Sequence, residues 1–143
     1  MKIETRRLYP EDAESISKLS AQLGYSLTVA ETGDCIRNVL GSSGHFTLVA
    51  ISGEIVIGWI HAFKAVRIES KPFIEIAGLV VDENHRGKGV GKTLINEVKE
   101  WCVAAGVSSL RLRTNVKRLE THQFYEAFGF TNTKDQKIYE IQL

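Results

Sequence analysis

The stretch Val80-Val81-Asp82-Glu83-Asn84-His85-Arg86-Gly87-Lys88-Gly89-Val90-Gly91-Lys92-Thr93 decides how the rest of the chain is read. An apolar strand runs into a loop with three glycines at alternate positions, and an amphipathic helical pattern begins at once. Strand, glycine loop and helix in that order build an anion site. The first N–H groups of a helix have no partner inside it, and the helix dipole favours negative charge there. Glycines let backbone close around a phosphate without a Cβ in the way. Arg86, Lys88 and Lys92 add positive charge. The expected ligand is a phosphate or pyrophosphate.

Two familiar phosphate loops nearly fit. Gly91-Lys92-Thr93 matches the end of a Walker A loop, but that pattern needs its first glycine where Arg86 stands. The later apolar strand, Leu110-Arg111-Leu112-Arg113, ends in Thr114 rather than in a Walker B acid. A phosphate-loop kinase or NTPase is therefore disfavoured. The dinucleotide fingerprint fails too. Gly87-x-Gly89-x-Gly91 is followed by Lys92, and the acid expected about twenty residues on is replaced by Arg111.

Arg86-x-x-Gly89-x-Gly91 resembles the R/Q-x-x-G-x-G/A signature of the GNAT superfamily of N-acetyltransferases. Ile76-Ala77-Gly78-Leu79-Val80-Val81-Asp82 resembles the family's fourth strand. Asn115 and Phe124-Tyr125-Glu126-Ala127-Phe128-Gly129-Phe130 resemble its late Asn and its F-Y-x-x-x-G-F element. These elements fall in the family's order over residues 73–130, while the first seventy or so residues agree only in layout. The resemblance implies the α/β GNAT (acyl-CoA N-acyltransferase) fold: a mixed, mainly antiparallel central sheet flanked by helices on both faces. It implies direct transfer of acetyl from acetyl-CoA to a primary amine of a small molecule or a protein. It places Leu79, Val80 and Val81 against the pantetheine arm. Arg86, Gly87, Lys88, Gly89, Val90, Gly91 and Lys92 then meet the pyrophosphate, and Asn115 makes a further cofactor contact. Gly78 would permit the bulge by which the fourth strand splays from the fifth.

The reaction sets the remaining roles. An amine attacks a thioester only when neutral, yet a lysine-like amine has a pKa of about 10. The site must take a proton, stabilise an oxyanion and protonate or tolerate a thiolate. Tyr125 is the candidate acid: a phenol keeps its proton at neutral pH, and the family's Tyr at this place sits beside the coenzyme sulfur. Its bland alternative is a half-buried helix aromatic. Glu75, on the strand that enters the loop, is the candidate base, as in some family members; its bland alternative is an exposed strand residue. Neither cysteine lies near these motifs, which disfavours an acyl-enzyme. A non-catalytic acyl-CoA-binding or sensing module is the reading from another class. No metal is expected: the histidines show no ligand spacing. His61, after Gly58-Trp59-Ile60, is placed to face the acceptor cleft, although structural or solvated roles are the simpler account of each histidine.

The 143 residues suit one domain, residues 1–143, with 43% hydrophobic content typical of a globular chain. The net charge of +1 gives no pull toward nucleic acid or membrane and selects no acceptor class. No apolar stretch approaches a membrane span, the N-terminus lacks a signal-peptide core, and Cys35 and Cys102 read as reduced thiols. A cytoplasmic enzyme is expected, with a homodimer as the family-level expectation. Along the chain, strands are expected over 2–8, 46–51, 54–63, 73–82 and 108–114. Helices are expected from Pro10 to Gly24 and over 28–40, 89–105 and 117–128, and two short strands close the chain.

Overall fold

The computed structural model describes residues 2–114 and 117–143. The chain divides into two compact units, Met1–Arg113 and Thr114–Leu143. The first holds a five-stranded sheet in the order β1-β2-β3-β4-β5. Its strands are β1 Glu4–Arg6, β2 His45–Ser52, β3 Ile55–Ala65, β4 Phe73–Val81 and β5 Leu110–Leu112. The first four pair antiparallel and β5 joins β4 in parallel, giving the expected mixed, mainly antiparallel sheet.

Helices cover both faces. Alternation along β2 sends Val49 to one face and Phe46 to the other. On the first face Val49 meets Leu8, Ala13, Ile16 and Ile36, with Trp59 packed against them. This is the side of helices α1 (Ala13–Ala21) and α2 (Val29–Leu40). Pro10 opens a 3-10 turn ahead of α1. There the Asp12 carboxylate accepts a 2.8 Å bond from the Tyr9 N–H and both arms of the Arg6 guanidinium, at 2.8 Å each. Thr28 and Glu31 close a capping box at the start of α2. On the second face Phe46 stacks on Trp101 of helix α3 (Val90–Ala104), ring centroids 5.1 Å apart. Helical spacing predicts an apolar stripe of Val90, Leu94, Val98, Trp101, Cys102 and Ala105; the buried residues of α3 are Val90, Leu94, Ile95, Val98 and Cys102, while Trp101 is half-buried and Ala105, past the helix end, is exposed.

In the second unit, helix α4 spans Leu119–Phe128. The two closing strands expected from the sequence are not formed: residues 130–143 contain neither helix nor strand. Ile138, Tyr139, Ile141 and Leu143 are exposed. An apolar-polar pattern makes a strand only where a partner strand supplies the hydrogen bonds, and this segment pairs with none of the described residues.

Candidate active site

The loop between β4 and α3 has the geometry its glycines require. Gly87 and Gly89 adopt left-handed φ of 75° and 85°, a region costly for any side chain. Gly89 caps α3, and the Thr93 hydroxyl donates to its carbonyl at 2.9 Å. No acidic residue occupies the first turn of α3. The open N–H groups of that turn and the exposed Lys88 therefore carry no competing negative charge. The Arg86 Nε donates to the Val81 carbonyl at 3.1 Å, which ties the loop back to β4.

A second brace holds the entrance to the loop. Gln22, at the end of α1, donates to Asp82 Oδ1 at 2.8 Å and accepts from the Glu83 N–H at 2.9 Å. The other Asp82 oxygen lies 2.6 Å from His85 Nδ1. The bonds from Gln22 and then from His85 hold the Asp82 carboxyl below the usual carboxylate range. Nothing in the sequence links Gln22 to a loop sixty residues away.

Beyond this brace β4 leaves its neighbour. β5 pairs only with Ile74, Glu75 and Ile76, so Ala77–Val81 has no ladder partner on that side among the described residues. The register against β3 slips between His61 and Ala62, which leaves Ala77 as the extra residue of a bulge beside Gly78. The bulge is where the sequence suggested, but Gly78 is glycine for a further reason. The Trp59 ring lies so close that a Cβ on residue 78 would sit 2.6 Å from its Cη2. The Trp59 Nε1 is buried there with no hydrogen-bond partner. Leu79 and Val81 are half-buried and Val80 is buried, so the exposed resource of this stretch is its backbone.

Glu75 is not an open surface residue. Its side chain is 15% exposed, and Arg113 Nε lies 3.5 Å from Oε1. Ile74 and Ile76 are buried, with Ile74 fully sealed. Across the sheet Glu75 faces Phe63 on one side and Arg111 on the other. Arg111 stacks over the Phe73 ring at 3.8 Å. Sequence reasoning passed over Arg113, although Arg111-x-Arg113 places two guanidinium groups on one side of a strand. It also passed over a contact between His45 and His61, which only the β2–β3 register reveals.

Tyr125 lies in the second unit, within α4. Its ring meets Phe124 and Phe130 edge-on, with centroids 5.4 Å and 5.8 Å away. Burial raises its pKa above the ordinary 10, outweighing the opposite pull of Arg118. The phenol therefore holds its proton throughout the neutral range. Asn115 lies outside the described residues. Among the described residues, no three His, Cys, Asp or Glu side chains are grouped to hold a metal ion. Nor is any helix long and apolar enough to cross a membrane. Cys102 is buried and Cys35 exposed, both as free thiols.

A glycine-capped anion loop, a bulged strand that parts from its neighbour and a mixed sheet clad on both faces define the class. Residues 9–130 match the Acetyltransferase (GNAT) family, and the chain belongs to it. Aminoalkylphosphonate N-acetyltransferase of Salmonella typhimurium is 30% identical over 133 residues, 89% of this chain and 84% of that protein. Acetyl transferase GW6a of Oryza sativa subsp. japonica is 37% identical over 101 residues, 62% of this chain. Probable N-acetyltransferase family 8 member 5 of Mus musculus is 30% identical over 107 residues, 72% of this chain. The chain matches only 24% and 45% of the lengths of these last two. Among solved structures, the aminoglycoside N-acetyltransferase AAC(6')-Iy in complex with CoA superposes with a TM-score of 0.86 at 20% identity. That match covers 99% of this chain and 96% of the other. A Trypanosoma brucei acetyltransferase superposes at 0.80 with 24% identity, covering 98% of this chain and all of that one. These likenesses show the GNAT fold.

Proposed function

We propose that this chain is an acetyl-CoA-dependent N-acetyltransferase that passes the acetyl group directly to a primary amine of a small molecule or peptide. The observation that carries the reading is the left-handed Gly87 and Gly89 loop at the start of α3, continuous with a β4 edge left unpaired over Ala77–Val81. The loop and first turn (Arg86, Gly87, Lys88, Gly89, Val90, Gly91, Lys92) offer N–H groups and positive charge to a pyrophosphate. The free edge around Leu79, Val80 and Val81 offers backbone donors and acceptors to amides of a pantetheine arm. Asn115 is assigned a further cofactor contact on the family resemblance.

In this reading Glu75 takes the proton of the attacking amine, directly or through water. The amine nitrogen bonds to the thioester carbon, the carbon–sulfur bond breaks, and Tyr125 gives its proton to the departing thiolate. The raised pKa of Tyr125 supports the acid role, because the proton-bearing form persists at the pH of the reaction. The half-buried ion pair with Arg113 supports a defined orientation for Glu75. The extended match to the Salmonella aminoalkylphosphonate enzyme makes an aminoalkylphosphonate the first acceptor to try. An aminoglycoside, a peptide with a free N-terminus and a lysine peptide complete the panel.

The test is free-thiol release from acetyl-CoA with each amine, in wild type and in Tyr125→Phe. Amine-dependent release that falls at least about tenfold in the variant, or about 1.4 kcal/mol of barrier, supports both the transfer and the acid. A melting temperature raised by acetyl-CoA without turnover on any amine would instead favour the non-catalytic binding module.

A further inference from the structure

His45 begins β2 and His61 lies in the middle of β3. Their rings stack with centroids 5.1 Å apart, and His45 Nδ1 lies 2.8 Å from His61 Nε2. One proton fits between those two nitrogens, so one ring donates and the other accepts. The outer nitrogens, His61 Nδ1 and His45 Nε2, have no protein partner among the described residues. Phe63 stacks on His45 at 5.7 Å and meets His61 at 6.2 Å. That apolar wall keeps the two imidazoles in register.

The pair is well placed for proton traffic. His61 stands opposite Gly78 of the bulged stretch, and Phe63 stands opposite Glu75. Directly opposed residues of an antiparallel pair share a face, so the pair lies on the same side of the sheet as the candidate base. His45, at the other end, adjoins Gly41–Gly44, all exposed. The arrangement therefore runs from the sheet interior to solvent in two imidazole steps.

We infer that His45 and His61 form a two-imidazole relay that carries the proton lost by the acceptor amine out to solvent. The inference rests on the N-acetyltransferase reading above. The amine proton, handed on by Glu75 or by water, binds His61 Nδ1. The proton on His61 Nε2 moves to His45 Nδ1, and the proton on His45 Nε2 leaves to water. One proton enters and one leaves. Both rings end neutral in the opposite tautomer, and the reverse flip through solvent resets them. Burial first, and then the neighbouring His45, push the His61 pKa down to about 4. The proton is thus passed on rather than stored. The charged groups on the flanking strands are Glu4 and Arg6 on β1, with Arg6 paired to Asp12, Glu75 on β4 and Arg111 on β5, and Arg113 follows just past β5. Lys64 follows Phe63 on β3 and alternates to the opposite face. On the helices of this face, the Glu14–Lys18 and Asp34–Arg37 pairs are exposed and satisfy each other.

The experiment compares wild type, His61→Gln and His45→Gln in acetyl-CoA thiol release with the fastest amine of the panel, with and without added imidazole. Nitrogen NMR of the histidine rings accompanies it. A glutamine keeps one hydrogen-bonding end but cannot exchange a proton through itself. The relay predicts a kcat at least about tenfold lower in each variant, KM values within about threefold of wild type, and partial recovery with imidazole. It also predicts ring-nitrogen shifts in wild type that average both tautomers. His45→Gln changes the position at the start of β2, beside the exposed residues 41–44, and serves if His61→Gln melts early. Wild-type kcat in both variants with full turnover in the parent would overturn the relay alone, as would ring shifts locked in one tautomer. Absence of turnover on every amine would overturn the transferase reading and the relay with it.

Discussion

Tyr125 and Glu75, the proposed acid and base, are held by different physics. Tyr125 is enclosed among aromatic edges, and burial keeps its proton in place. Removing only its hydroxyl in Tyr125→Phe leaves those rings packed. The variant is therefore expected to bind acetyl-CoA as wild type does while its kcat falls at least about tenfold, which calorimetry beside steady-state kinetics resolves. Weakened cofactor binding with an unchanged kcat would remove Tyr125 from the chemistry. Glu75 instead owes its definition to Arg113 at 3.5 Å. Glu75→Gln keeps the shape and removes the charge. Its kcat should fall by about 10²-fold near neutral pH if it is the base, with partial recovery as the pH rises and more of the amine becomes neutral. A uniform loss at every pH would point to orientation of the acceptor rather than to proton removal. Gly89 stands apart from both, because only its backbone matters. At φ 85° an alanine costs about 1–2 kcal/mol. Gly89→Ala should weaken acetyl-CoA binding by about tenfold, with little change in kcat at saturating cofactor.

At the scale of elements, the sequence disclosed whatever is local. The α3 helix, the 28–40 helix and the loop glycines are short-range patterns, and each appears where its spacing puts it. Pairing is another matter. A strand of period two does not say which strand lies beside it. The contact of His45 with His61 and the brace from Gln22 to Asp82 therefore emerge only from the assembled fold. The closing strands fail for the same reason, since Ile138 and Ile141 supply apolar side chains but no partner backbone. Gly78 shows the two levels meeting. The chain suggested a bulge; the sheet adds the Trp59 ring, which fills the place of a Cβ. Gly78→Ala must displace that indole, and overpacking of this kind costs about 1–3 kcal/mol. A lower melting temperature and a changed Trp fluorescence are expected together. An alanine variant as stable as wild type would mean the indole has another resting place.

For the whole molecule, His61 and the acidic residues divide the acid side of the stability curve into two windows. His61 titrates at about 4 when folded against about 6.5 when unfolded. Between those values the unfolded chain binds a proton that the folded chain refuses, so stability falls as the pH drops through that window. Asp12 acts lower. Burial by itself would raise its pKa, but the Arg6 hydrogen bonds, the Tyr9 N–H and the Arg6 charge together bring it below 3.8. Its contribution is present above that value and is lost as the pH falls past it. Thermal melts of wild type and His61→Gln from pH 7 to pH 3 separate the two. Wild type should lose more stability than the variant between pH 6.5 and pH 4, because the glutamine has no proton to take up. Below pH 3.8 the two curves should descend in parallel as Asp12 is neutralised. Equal slopes in the upper window would mean that His61 is not held neutral by the fold. The low-pH limb would then fall to the carboxylates alone, and the cross-strand pair would lose the property that lets it pass a proton on without keeping it.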